Sequence, residues 1–150
     1  MEIEWTDDLI IGVDVIDTQH KELFRRINVL FKSIETNDLR EIARTFIFVR
    51  QYVDTHFETE DDFIKSNINY EYGIINYVEH KSEHDAFIRD FTEFEKIKIG
   101  TKGEIFKIAK EFQPWMRNWW YQHINGIDKK MGNIYKKSPP CNSKKNAGWL

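Results

Sequence analysis

Apolar residues recur at offsets of three and four along four stretches of this chain, the spacing that gathers them on one face of an α-helix. Leu23, Phe24, Ile27, Leu30, Phe31 and Ile34 form the first stripe, and Ile42, Phe46, Val49 and Val53 the second. Phe87, Ile88 and Phe91 form the third; Ile105, Ile108, Phe112, Trp115 and Trp119 form the fourth. Four amphipathic helices in sequence predict an all-α fold, an up-down-up-down four-helix bundle. Ahead of them, Trp5, Leu9, Ile10, Ile11, Val13 and Ile16 surround Gly12 without a sustained helical period. Residues 1–16 are therefore expected to form an extended N-terminal arm laid across the bundle.

Local signals set the expected boundaries. Asp17 or Thr18 can cap the first helix, and Asn37-Asp38 breaks it and can cap the second, which runs to about Ile64. Lys65 to Tyr77 contains Asn67, Asn69 and Gly73 and predicts a looser stretch before the third helix, which Gly100 to Gly103 should end. Pro114 lies inside the fourth stripe, so a kink or a break is expected there.

Composition narrows the class. A chain of 150 residues with 41% hydrophobic and 31% charged side chains is one globular domain, and no apolar run approaches the ~20 residues a bilayer span needs. The start, Met1-Glu2-Ile3-Glu4, lacks the basic flank and apolar stretch of a signal peptide, which predicts a cytoplasmic protein. The single cysteine, Cys141, agrees with a reducing compartment. It lies in a segment, Lys136 to Leu150, with four lysines, two prolines and no acid, expected to be a disordered tail beyond a domain of residues 1–135. Without those lysines the body holds 18 basic against 25 acidic residues, a net −7 that argues against nucleic-acid binding.

The five histidines change the picture most. His20 extends the first stripe by a turn, His56 and Glu60 continue the second, His80 and His84 lead the third, and His123 closes the fourth. Both i, i+4 pairs can present two donors to one point. Glu58 leaves that face and is a poor candidate. Asp128 follows His123 by five residues, a rotation of about 140° on a regular helix, so joining the others requires a widened turn eased by Gly126. A single histidine in an apolar stripe is ordinarily a satisfied core residue. Five of them with two carboxylates, buried without compensation, would cost several kcal/mol apiece. A set of imidazoles and carboxylates without thiolate suits a pair of iron ions between helices. If both carboxylates and one solvent-derived oxygen bridge two six-coordinate ions, one position stays open for a small molecule.

The stretches Trp5, Gly12-Val13, Ile16-Asp17-Thr18-Gln19-His20-Lys21, His56-Phe57-Glu58-Thr59-Glu60, His80-Lys81-Ser82-Glu83-His84 and Trp119 through His123-Ile124-Asn125-Gly126-Ile127-Asp128 resemble the hemerythrin family, specifically its single-domain bacterial kind, over residues 3 to 135. The resemblance implies a non-haem di-iron centre: His80, His84 and His123 on one iron, His20 and His56 on the other, with Glu60, Asp128 and an oxo or hydroxo group as bridges. It implies reversible binding of dioxygen for transport, storage or delivery, with no substrate consumed, and inhibition by anions such as azide. Leu23, Phe57, Trp119 and Ile124 would wall the ligand pocket. Two other readings use the same bundle: a di-iron enzyme handling dioxygen, peroxide or nitric oxide, and an oxygen or redox sensor. Oxygen-activating ferritin-like sites use four carboxylates and two histidines in Glu-x-x-His motifs, a balance this chain lacks. The interval from Glu60 to His80 is longer than in typical relatives, through extra sequence around Asn69 to Ile75 that is expected to loop out.

Overall fold

The computed structural model describes residues 2–97 and 101–137. After a 3₁₀ turn at Asp7–Leu9 come helices α1 (Asp14–Glu35), α2 (Leu39–Asn67) and α3 (Tyr70–Glu95). A fourth rod follows as α4 (Lys102–Lys107), a π turn (Ile108–Phe112), α5 (Gln113–His123), a second π turn (Ile124–Asp128) and α6 (Lys129–Lys137). The helices run up, down, up and down around one core, as the four stripes predict. Among the described residues, no helix is long and apolar enough to cross a membrane.

The core is what the stripes supply. Leu23, Ile27, Leu30, Ile42, Val49, Val53, Phe87, Phe91, Ile108, Phe112 and Trp120 are all fully buried, each contributing roughly 1.5–3 kcal/mol of apolar transfer. Aromatic rings fill the end of the bundle away from the histidines. Phe46 meets Phe112 at 4.8 Å between centroids, and Phe87 lies against Trp115 at 5.0 Å.

Several boundaries fall elsewhere than expected, each for a local reason. α1 begins at Asp14 after an uncapped Val13, not at Asp17 or Thr18. The Asp17 carboxylate instead reaches back to accept from the backbone N–H groups of Ile11 (2.9 Å) and Gly12 (3.0 Å), tying the arm to the helix. Asn37 takes a positive φ of 53° to end α1, and Asp38 caps α2 by accepting from Arg40 and Glu41 N–H. The expected looser stretch at Lys65 to Tyr77 is almost entirely helical. α2 continues to Asn67 and, after Ile68, Asn69 caps α3 through the Glu71 N–H. Asn69 to Ile75 thus cap and begin α3 instead of looping out, because Asn69 follows the last residue of α2 by two positions and caps the next helix at once.

α3 ends at Glu95, before the glycines expected to stop it, and Gly103 lies in the first turn of α4, behind a Thr101/Glu104 capping box. Pro114 produces no break. The π turn before it widens the helix where the ring would clash, and the chain stays helical through α5. Lys98 and Gly100, and the tail from residue 138 with Cys141, lie outside the described residues.

The arm packs across the bundle. Ile3, Leu9, Ile11 and Val13 are buried. Asn28 of α1 holds the Ile3 backbone from both sides at 2.9 Å, and the Tyr121 hydroxyl of α5 does the same for Glu4. Gly12 has φ +86°, a conformation that favours glycine. Gly132 of α6 matters for a different reason: a Cβ there would lie 2.2 Å from the Ile11 carbonyl oxygen. Gly132→Ala should therefore displace the arm and cost about 1–3 kcal/mol, read as a lower urea midpoint; an unchanged midpoint would mean that the arm does not need this close approach.

Candidate metal centre

Every helix of the bundle delivers part of one buried polar cluster. His20 comes from α1, His56 and Glu60 from α2, His80 and His84 from α3, His123 from the end of α5 and Asp128 from the π turn beyond it. All seven residues are at most 3% exposed. The π turn at Ile124–Asp128 supplies the extra rotation that the five-residue spacing demands, so His123 and Asp128 face the same centre. Glu58 is exposed, one face away.

The carboxylates divide their oxygens between two histidine groups. Glu60 Oε1 lies 2.9 Å from His56 Nε2 and 3.5 Å from His20 Nε2, while its Oε2 lies 2.9 Å from His84 Nε2 and 3.7 Å from His123 Nε2. Asp128 Oδ1 lies 3.0 Å from His80 Nε2 and 3.1 Å from His123 Nε2, and its Oδ2 3.2 Å from His20 Nε2. Two sets of donor atoms result, each with all atoms within 4.8 Å: Glu60, His80, His84 and His123; and His20, His56, Glu60 and Asp128. Both Glu60 oxygens, Asp128 Oδ2, His56 Nε2 and both His20 nitrogens are buried without a hydrogen bond. Inward-facing acceptors and imidazole nitrogens left in that state form a donor set that metal cations could complete.

The outer nitrogens are held from behind. His56 Nδ1 donates to Gln19 Oε1 at 2.9 Å, and Gln19 Nε2 in turn donates to Thr59. His80 Nδ1 donates to the Asn76 backbone carbonyl at 3.0 Å, and His123 Nδ1 to Glu83 Oε2 at 2.6 Å. These partners can only accept at those atoms, which fixes the tautomers that turn Nε2 toward the centre. Gln19, Asn76 and Glu83 escaped the sequence reading. Gln19 and Glu83 each sit one residue before a histidine but serve a different histidine on another helix, so no spacing pattern marks them.

Aromatic walls enclose the cluster. The Phe57 ring stacks on His84 at 3.7 Å between centroids and 3° between planes, and Trp119 on His123 at 4.3 Å and 17°. Leu23 and Ile124 are fully buried. Phe57 and Trp119 thus lie chiefly against the three-histidine group. Trp120 and Trp5 approach the other one, Trp120 at 5.7 Å from His56 and Trp5 at 6.0 Å from His20; no spacing pattern separates Trp120 from ordinary core.

Mutual attraction sets the protonation of the metal-free cluster. Burial alone would lower His20, but the Asp128 and Glu60 carboxylates outweigh it and raise its pKa to about 9. His80 and His123 are likewise raised against burial, chiefly by Asp128. Burial prevails for His56 and His84, which are lowered. Burial would raise Glu60 and Asp128, with the Glu60 charge adding to it for Asp128; the facing histidines nevertheless hold both well below the usual carboxylate range.

The raised histidines stabilise the metal-free fold fully below their unfolded value of about 6.5, and that contribution is lost as pH rises through their folded values. The depressed carboxylates contribute above about 4 and lose it as pH falls through theirs. The lowered His56 and His84 oppose this, since they resist protonation below about 6.5. The three raised histidines outnumber them, so metal-free protein should be most heat-stable between about pH 4.5 and 6.5. Loaded protein should show the opposite trend over this range, because ligation needs neutral imidazoles and uptake at neutral pH releases protons. Melting curves of both forms from pH 4 to 9 check this. A metal-free Tm that climbs steadily to pH 9 would contradict it.

Comparison with known proteins agrees with this geometry. The family model described as "Hemerythrin HHE cation binding domain" matches residues 11–135. A bacteriohemerythrin of Stenotrophomonas maltophilia (strain R551-3) is 26% identical over 149 residues, covering 97% of this chain and 91% of the relative. One from Clostridium acetobutylicum is 27% identical over 124 residues, covering 80% and 91%. A crystal structure of wild-type hemerythrin superposes with a TM-score of 0.71 at 23% identity, covering 89% of this chain and 97% of the other, a likeness of fold. With the matched model spanning most of the chain and the buried histidine and carboxylate cluster at its centre, the protein belongs to the hemerythrin HHE cation-binding domain family.

Proposed function

We propose that this protein binds dioxygen reversibly at a non-haem centre of two irons, as a carrier, store or delivery protein without enzymatic turnover. In this reading His80, His84 and His123 would hold one iron and His20 and His56 the other, with Glu60 and Asp128 shared between them. The observation that carries it is the division of each carboxylate, with one oxygen toward each histidine group. Two irons held there would supply the electrons that reversible dioxygen binding needs. The two-histidine side, one protein nitrogen poorer, has the open position.

The chain's own residues make that exchange reversible. Gln19, the Asn76 carbonyl and Glu83 keep the proton of three imidazoles on Nδ1, so that Nε2 stays free to face the centre. Leu23 and Ile124, with Trp120 beside His56 and Trp5 beside His20, serve as the apolar wall that keeps water and anions from the reacting position, while Phe57 and Trp119 close the three-histidine side. Five nitrogens against two carboxylates favour reversible chemistry over oxygen activation. Nothing here requires a membrane or a nucleic acid, and a cytoplasmic location fits the composition.

Anaerobically reduced protein should take up one dioxygen per chain, and azide should occupy the same position in the oxidised form. Oxygen uptake that continues as long as reductant is supplied would replace the carrier by an enzyme. Oxidised protein whose absorption spectrum azide leaves unchanged would count against an open position at this centre.

A further inference from the structure

The two histidine groups differ in what stands behind them. On the three-histidine side, His123 Nδ1 donates to the Glu83 carboxylate at 2.6 Å, while His84 Nδ1 is buried without a hydrogen bond, the Asp61 carboxylate lying 3.8 Å away. His80 is held by the Asn76 carbonyl. On the two-histidine side the outer partner of His56 is a neutral amide, Gln19, and His20 Nδ1 is buried with no partner. One group therefore has an imidazole backed by a carboxylate and another held by a carbonyl, the other group has one held by an amide, and each keeps one imidazole, His84 or His20, with no hydrogen bond at Nδ1.

An anionic acceptor makes an imidazole a stronger donor to a cation and fixes its ring; an amide fixes the ring without adding charge; an unpartnered imidazole has neither. We propose that Glu83 and Gln19 are positioning residues that rank the two metal positions. The three-histidine position, backed by Glu83, fills first and holds its metal more tightly; the two-histidine position, backed by Gln19, fills second and exchanges more readily. The inference rests on the two-metal reading above but not on oxygen binding. Glu83 is half-exposed and Gln19 only partly buried, so both can be changed without opening the core.

The test is a calorimetric titration of chelator-stripped protein with Zn²⁺ at fixed pH, which needs neither iron nor oxygen. Intact protein should take up two equivalents with separable affinities. Glu83→Ala should weaken the tighter equivalent by roughly 10- to 100-fold and leave the weaker one unchanged. Glu83→Gln, which keeps an acceptor without the charge, should fall between. Gln19→Ala should weaken only the looser equivalent. Circular dichroism of each stripped variant reports whether the bundle is intact. Equal weakening of both equivalents by Glu83→Ala, no change, or an effect on the looser one alone overturns the ranking. Uptake of a single equivalent by intact protein overturns the two-metal reading, and the ranking with it.

Discussion

Glu60→Ala should leave a protein that cannot assemble paired iron, with less than about half the iron of the intact protein, while Glu58→Ala should leave iron content unchanged. Both are acids on the same helix two residues apart, so composition and local charge change equally. Their positions differ entirely. Glu60 is fully buried, with one oxygen 2.9 Å from His56 and the other 2.9 Å from His84, whereas Glu58 faces solvent. Removing Glu60 takes a shared acceptor from both histidine groups at once and leaves their buried nitrogens facing one another. Iron analysis of the two variants after identical reconstitution decides the matter, and equal losses would mean that the bridge has been assigned to the wrong acid.

The second large effect concerns the apolar wall. Ile124→Ala and Leu23→Ala each empty a fully buried site and should lower stability by about 2–5 kcal/mol. More informative is the lifetime of the oxygenated state, expected to shorten roughly tenfold or more, the equivalent of about 1.4 kcal/mol off the barrier, as water and anions gain entry. Iron content should stay near normal, since neither residue offers a ligand atom. Decay of the oxygenated spectrum, followed alongside iron analysis, separates the two effects. A lifetime that survives both substitutions would mean that these side chains are packing and nothing more.

Much of this architecture was legible in the sequence because the helices are amphipathic and the histidines continue their apolar stripes. His56 and Glu60 extend the run from Ile42 through Val53, so the face that builds the core also points the polar pair inward. The same logic anticipated the widened turn between His123 and Asp128: a spacing of five cannot serve one centre on a regular helix, and the π turn at Ile124–Asp128 is the answer. Boundaries were harder. Asn69 read as a loop residue but acts as a cap, since an asparagine favours both and only its neighbours decide. Asp17 read as a cap but clasps the arm, a contact set by where the arm lies. Gln19 and Glu83 were invisible for a deeper reason. Each orients a histidine 37 or 40 residues away, and pairings across helices leave no periodic trace in one chain.

The central claim is that two irons sit between the histidine groups and bind dioxygen reversibly. It is tested most directly by iron analysis of the purified protein together with its absorption spectrum before and after oxygen removal. The account predicts two irons per chain and a visible band that appears with oxygen, vanishes when oxygen is withdrawn and returns over repeated cycles. One iron per chain, or a spectrum that oxygen changes once and irreversibly, would contradict it.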